Sequence, residues 1–225
     1  YRQSTMGATM LRTMGYQTLA ELIQHVRNVL NMPQATRIVG TFCRVLHDDK
    51  LYLPSQYTAI RTLLSLGEVI YRNKDPNPQM GRDLLVRILT SLASKLEAIN
   101  VEAANNNESS SKQPQPQSED SDNNDDDDDN FKDAEALRDA QSLVRLILVG
   151  SKNLVHFLAD YRNQREKVSR EMTMPPPGSN EEVSTAYHKL TQTEVQLLNR
   201  YLLAAFPGLN LLKRSAAGTT TANNS

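Results

Sequence analysis

The chain has 225 residues, with 25 Lys+Arg against 26 Asp+Glu, a formal net charge of −1, 9 Gly, no Trp and one cysteine, Cys43. A single cysteine excludes an internal disulfide framework and cannot by itself hold zinc, while abundant Leu, Ala, Arg, Gln and Glu favour helix over sheet. The charge balance conceals a division: residues 105–130 carry nine acidic residues and one basic one, a local −8 that leaves the remainder at +7.

Tyr1 is not followed by a basic region and an apolar run, so no secretory leader is expected. The longest apolar run, Leu143 to Val149, is interrupted by Arg145 and falls far short of the roughly 20 residues of a membrane helix. The chain therefore reads as soluble, suited to a reducing compartment, and as a piece of something larger.

In chain order, Tyr1 to Leu30 predicts one long helix, or two joined near Met14-Gly15. Its apolar residues Leu19, Leu22, Ile23, Val26, Val29 and Leu30 recur at helical spacing and define the expected buried face. Asn31-Met32-Pro33 ends it, since Pro lacks an N–H and suits the first turn of a following helix. Ala35, Ile38, Val39, Phe42, Val45 and Leu46 repeat the same spacing, so the two helices are expected to pack together as an antiparallel hairpin.

His47-Asp48-Asp49-Lys50 predicts a turn, and Leu53-Pro54-Ser55 a third helix with the stripe Tyr57, Ile60, Leu63, Leu64, Gly67, Ile70 and Tyr71. After the Asn73 to Pro78 turn, Leu84, Leu85, Ile88, Leu89, Leu92, Leu96 and Ile99 mark a fourth helix. Asn105 to Asn130 is rich in Asn, Ser, Gln-Pro and Asp and cannot build a core, so a disordered acidic loop is expected. Its Asp125 to Asp129 run reads as a solvated spacer.

Helical pattern resumes at Asp133, a candidate N-cap, and runs through Leu137, Val144, Ile147, Leu148, Leu154, Val155 and Leu158, with a kink expected at Gly150. Arg162 to Arg170 would extend it, and Met172 to Asn180 would be a linker. The last helix should start near Glu181 or at Thr191-Gln-Thr-Glu194, a capping-box pattern. It would carry Val195, Leu198, Leu202 and Phe206 and stop at Pro207-Gly208. The expected organisation is helical repeats over 1–104, an acidic insert over 105–132, further helices over 133–214 and a polar tail over 215–225. The fold class is all-α: a solenoid of about three HEAT-like antiparallel helix hairpins of roughly 40 residues each, with a compact bundle as rival.

Residues that could carry chemistry are few. Glu21 and His25 stand at i, i+4, but no third metal ligand is placed with them, and a surface hydrogen bond accounts for the pair. His47-Asp48-Asp49 suits turn and capping chemistry better than a cation. Cys43, between Phe42 and Arg44 beside an apolar stripe, reads as a small half-buried structural residue. No phosphate-binding Gly-rich loop, G-x-S-x-G elbow, H-E-x-x-H pair or kinase signature occurs. An enzyme is not expected, and neither is a cofactor, a metal or a small-molecule substrate. Arg37, Arg44, Arg61, Arg72, Arg82 and Arg87 are scattered and not interleaved with aromatics, which argues against direct nucleic-acid binding.

Three strings are more specific than periodicity. Tyr16-Gln-Thr-Leu-Ala-Glu-Leu-Ile-Gln-His-Val-Arg27, His47-Asp48-Asp49 before a Leu-Pro helix start, and Gly81-Arg-Asp-Leu-Leu-Val-Arg87 together resemble a HEAT-repeat segment of the transformation/transcription domain-associated protein (TRRAP) family. The likeness is strongest over Leu11 to Ile99 and resumes at Ala140 to Arg145 and Thr191 to Leu203. It implies a non-catalytic segment of a large nuclear pseudokinase scaffold that binds activators within SAGA-type histone acetyltransferase complexes. It assigns no binding residues. The +7 balance makes acidic, disordered activation segments one candidate partner. An armadillo-type adaptor for cargo peptides is the alternative, and the lack of Trp counts against its Asn/Trp ladder.

Overall fold

The structure, a computed structural model, describes residues 2–73, 78–110, 126–172 and 192–218. These form α1 (Arg2–Val26), closed by a 3-10 turn at Arg27–Val29, then α2 (Met32–Leu46), α3 (Leu53–Arg72), α4 (Pro78–Ser110), α5 (Asp126–Met172) and α6 (Gln192–Gly218). The helices stack as an all-α solenoid in two layers. In one layer α1, α3 and α5 lie side by side, in the other α2, α4 and α6, and the layers meet chiefly through α2 on α3 and α4 on α5.

Local sequence explains the best-defined starts. Asn31 and Gln34 form a reciprocal capping box: Gln34 N donates to Asn31 Oδ1 at 2.9 Å, and Asn31 N donates to Gln34 Oε1 at 3.0 Å. Two otherwise orphaned donors are thereby satisfied at the α2 N-terminus. Prolines occupy the first turn of both α2 and α3, where no N–H is needed. The α2 stripe buries Met32, Ala35, Val39, Phe42, Val45 and Leu46 against Ile60, Leu63 and Leu66 of α3 and Leu85, Leu89 and Leu92 of α4 in one continuous core. Each such large side chain contributes about 1.5–3 kcal/mol when fully buried.

The α3–α5 contact is closer than Leu-on-Leu packing allows. Leu154 of α5 fills the face of Gly67, where an added Cβ would lie 3.6 Å from Leu154 Cγ and nearer still to a methyl. Reciprocally, Leu64 of α3 fills the face of Gly150, 2.9 Å from such a Cβ at its Cγ. Gly150 thus serves as a packing notch inside one uninterrupted helix rather than at the expected kink. Tyr71 stacks on Phe157 with ring centroids 4.6 Å apart, its hydroxyl donates to Asp160, and Tyr57 Oη donates to Asp139 O at 3.3 Å.

Several expectations are corrected. Leu22 is 58 % and Val29 79 % exposed, and Leu19 is exposed too, whereas Ala20 and Ile23 are buried. The helix has two apolar faces, and the bulkier one, with Leu19 and Leu22, is the one left exposed. The buried face also packs on α3 rather than on α2, with Ser65 Oγ bonded to Gln24 Oε1 at 3.1 Å. The turn after α2 is tied to α1 by the Arg12–Asp48 ion pair at 2.8 Å.

Helix α4 runs into the expected loop as far as Ser110, and α5 begins at Asp126 instead of Asp133. The rest of that loop, 111–125, lies outside the described residues, as do 173–191 with the linker and Thr191, and the tail after 218.

Helix α6 passes through Pro207 to Gly218. Proline removes one ladder bond, but Asn100 Nδ2 donates to Ala204 O at 2.7 Å and Gln141 Nε2 to Leu211 O at 3.1 Å, so tertiary contacts carry the helix across the break. Leu137–Asp160 is, contrary to the reading of Leu143 to Val149, long and apolar enough to cross a membrane. Here Leu143, Val144, Ile147, Leu154 and Leu158 are buried in the core.

Two outcomes follow. Ile23→Asp should cost more than about 3 kcal/mol, while Leu22→Asp should stay within about 0.5 kcal/mol, read by thermal circular dichroism. Gly150→Ala should destabilise by about 1–3 kcal/mol through overpacking against Leu64, although an exposed helix would gain about 1 kcal/mol from the same change.

Candidate partner-docking surface

Cationic side chains in this fold divide into those that fasten helices and those left over. Arg82 on α4 reaches Glu194 on α6 at 2.8 Å, with Glu194 only 3 % exposed. Arg200 on α6 forks onto Glu97 of α4, with Nε to Oε1 at 2.7 Å and Nη2 to Oε2 at 2.5 Å, and its Nη2 also reaches Ser94 Oγ at 2.9 Å. The Arg200 fork holds the Glu97 carboxyl below its ordinary value. Arg72 pairs with Glu68 along α3.

Arg44 and Arg87 have no ion pair among the described residues, and they line one open groove between α2 and α4. Its volume is about 540 Å³, and Gly40, Cys43, His47, Asp48, Asp49 and Lys50 complete the lining. Helical spacing builds it. Gly40, Cys43 and His47 share the edge of α2 that faces α4, and Arg87, Ser91 and Lys95 recur every fourth residue along α4. The Arg87 guanidinium lies beside Gly40, its Nη2 at an ordinary contact distance of 3.6 Å from where a Cβ would stand.

Behind the groove, His47 Nε2 meets Ser91 Oγ at 3.1 Å. Burial pushes the Cys43 thiol's pKa up, against the pull of Ser91 and Arg87, so Cys43 is held protonated as a structural side chain. Burial, aided by the charge of Lys95, pushes His47 down and keeps it neutral at pH 7.

The other sequence candidates fall elsewhere. His25 Nδ1 bonds the Glu21 backbone oxygen at 2.8 Å, so its ring faces its own helix rather than a metal. Asp48 Oδ1 accepts from Lys50 N at 3.1 Å while Oδ2 takes Arg12, which is turn chemistry. Among the described residues no cluster of His, Cys, Asp or Glu is placed to hold a metal. Of the arginines expected to be scattered, Arg72 pairs with Glu68 and Arg82 with Glu194, while the fold brings Arg44 and Arg87 to one groove. Ser91 and Lys95, both buried on α4, stand behind this surface, and the sequence reading does not single them out. The Arg87-x3-Ser91-x3-Lys95 spacing was the available signal, hidden because α4's apolar face dominates its pattern.

A family profile described as the Tra1 HEAT repeat central region matches residues 3–225. Similar curated proteins include transcription-associated protein 1 of Caenorhabditis elegans, 36% identical over 91 residues, and the transformation/transcription domain-associated protein of Homo sapiens, 32% identical over 89 residues. A third is the SAGA complex/NuA4 acetyltransferase complex subunit TRA1 of Saccharomyces cerevisiae, 28% identical over 93 residues. Each alignment covers 40% of this chain and 2% of the relative. No solved structure matches.

The neutral His47 gives a pH signature with a defined sign. Its folded pKa lies below the unfolded value, so the unfolded chain takes up the proton first as pH falls. The associated stability is complete above about pH 6.5 and is lost below it. The melting temperature should therefore drop between about pH 7.5 and about pH 5.5, and His47→Gln, which keeps a partner for Ser91, should flatten that slope.

Proposed function

The chain belongs to the family of the Tra1 HEAT repeat central region, and on that premise we propose that it is a non-catalytic scaffold segment of a nuclear transcription coactivator. In this reading its parent is a subunit of histone acetyltransferase complexes, and its helical-repeat surface receives protein partners such as transcriptional activators. The name of the yeast relative, a SAGA and NuA4 subunit, supports the complex.

One observation carries the scaffold reading: both outer helices are apolar on two sides. On α1, Leu11, Met14 and Leu22 form a stripe opposite the buried Ala20 and Ile23, and Val29 is exposed in the turn that follows. On α6, Val195, Leu202, Phe206 and Leu209 form another, with Leu203 beside it at 73 % exposure, away from the buried Leu197, Tyr201 and Ala204. A self-sufficient domain would show polar outer faces there, as the capping units of repeat proteins do. An interior unit of a longer array presents apolar faces at both ends, each covered by the next hairpin. The mechanism is then geometric. Stacking fixes the curvature, and the lateral surfaces of the layers remain free for partners.

The test compares two contexts. Leu22→Asp with Phe206→Asp should leave the helicity and melting temperature of the 225-residue chain unchanged. In the intact parent protein the same pair should open new cleavage sites in limited proteolysis and reduce co-purification of other acetyltransferase subunits. Unchanged proteolysis and co-purification in the parent would refute the interior-unit reading.

A further inference from the structure

Helix α5 carries a line of positive charge on its solvent side. Arg138, Ser142, Arg145, Val149, Lys152 and His156 recur at i, i+4, i+7, i+11, i+14 and i+18, which keeps them on one helix face, and all six are exposed. That face is turned away from Val144, Ile147, Ser151, Leu154 and Leu158, which are buried. Arg138, Arg145 and Lys152 are spaced by whole heptads, about 10 Å apart, within a straight row of about 27 Å. None of the three has an ion pair among the described residues. Arg61 of α3, exposed and likewise without an ion pair there, widens the row. Tyr57 meets Asp139 and Leu64 meets Gly150, so Arg61 between them lies level with Arg145. Acids stay at the margins. Glu135 precedes the row, Asp139 lies on the flank next to Tyr57, Asp160 accepts the Tyr71 hydroxyl, and Glu68 is taken by Arg72. Unpaired cations in line fasten nothing in the fold and repel one another, and a polyanion relieves that repulsion.

We propose that this face of α5, together with Arg61, docks the phosphate backbone of duplex DNA without reading its sequence. A peptide partner needs pockets for its side chains, and this face is a helix ridge whose six residues include one apolar side chain, Val149. A phosphate backbone needs only cations at regular intervals. Duplex DNA carries one charge per about 1.7 Å of axis, so the row runs beside about eight base pairs. Single strands are held by stacking bases on aromatic side chains, and His156 is the one ring among the six residues, so a duplex fits the face better. Of the arginines scattered over α2, α3 and α4, Arg61 alone joins the line, which is why their spacing pointed away from nucleic acid. The choice of DNA rests on the nuclear reading above. The face itself is tested on this chain alone, whereas the end faces of α1 and α6 are tested in the parent protein, so either can fail without the other.

The probe is a fluorescein-labelled DNA duplex of about 20 base pairs, in two unrelated sequences, followed by fluorescence anisotropy on the 225-residue chain at rising salt. Both sequences should bind alike, and log affinity should fall against log salt with a slope of about −3.6, as four neutralised phosphates require. Arg138→Gln, Arg145→Gln and Lys152→Gln together should lower affinity about tenfold or more and bring the slope to about −1. Arg145→Glu alone should cost about fivefold, while Arg37→Glu, an equal charge change on the exposed surface of α2, should stay within about twofold. Circular dichroism of each variant separates lost binding from lost fold, and the Gln triple keeps the test open should the Glu variant unfold. Equal weakening by Arg37→Glu would reduce the effect to net charge and overturn the site, as would an unchanged slope in the triple variant. Tighter binding of single-stranded DNA or of an RNA duplex of the same length would overturn duplex DNA as the occupant. Oligoglutamate that binds more tightly than the duplex, and is lost in the same variants, would make an acidic peptide the occupant and overturn the proposal.

Discussion

The reciprocal insertion of Leu154 at Gly67 and Leu64 at Gly150 is the contact on which the rest of the molecule depends. Two helices normally pack 8–10 Å apart according to the side chains between them, and a glycine facing a leucine on each helix permits the near end of that range. Once α3 and α5 are drawn together, Tyr71 reaches Asp160 and stacks on Phe157, and Tyr57 reaches the Asp139 carbonyl. Helix α4 then lies beside both α3 and α5 and against α2 and α6, and its fully buried Leu85, Ile88, Leu92 and Leu96 are the residues common to both halves of the core. A side chain at Gly67 or Gly150 would displace α5, and with it the surface on which α6 rests.

How much of this was legible depended on whether a helix has one apolar face or two. Helices α2, α3 and α4 each have one dominant face, and the fold buries most of the residues read from their spacing, from Val39 and Phe42 to Leu92 and Leu96, with Ile38, Tyr57, Leu64 and Tyr71 half-buried at its edges. Helix α1 has two, and a sequence gives no means of telling which face meets the chain's own neighbour and which is left open. Large side chains weigh most in a periodicity, so the pattern points to Leu19 and Leu22 rather than Ala20, although a small residue is what allows close approach to α3. Pairing was misread for a related reason: matched stripes say that two helices can pack, whereas two-layer stacking sets α1 beside α3.

The other differences arise where tertiary contacts override local signals. Pro207 is a strong breaker, but Asn100 and Gln141 supply the side-chain bonds that carry α6 past it, and Gly208 fits its backbone against Val144 Cγ1, 3.0 Å from where a Cβ would lie. Neither partner is near in sequence. Gly150 looks like a kink for the same reason, since only the presence of Leu64 reveals what its missing side chain is for. The candidate surface was half legible. Arg44 and Arg87 were noted as cations, but their convergence required α2 and α4 to lie side by side.

Charge and apolarity are thus assigned to different directions of the array. Along its axis the outer faces of α1 and α6 are apolar, and between neighbouring helices the ion pairs Arg12–Asp48, Arg82–Glu194 and Arg200–Glu97 fix register. The half-exposed pairs contribute little to stability on their own. The more buried Arg82–Glu194 pair acts mainly through the cost of breaking it, because an unpaired Glu194 would be an uncompensated buried charge. Fastening cations are spent on α4 and α6, where each finds a carboxylate one helix away. Between α2 and α4 the supply of carboxylates runs out, since Asp48 is drawn to α1 and α4 offers Ser91 where an acid would close the network. The α2–α4 joint is fastened instead by packing and by the His47–Ser91 hydrogen bond at 3.1 Å, so its register rests on shape and one polar contact rather than on an ion pair.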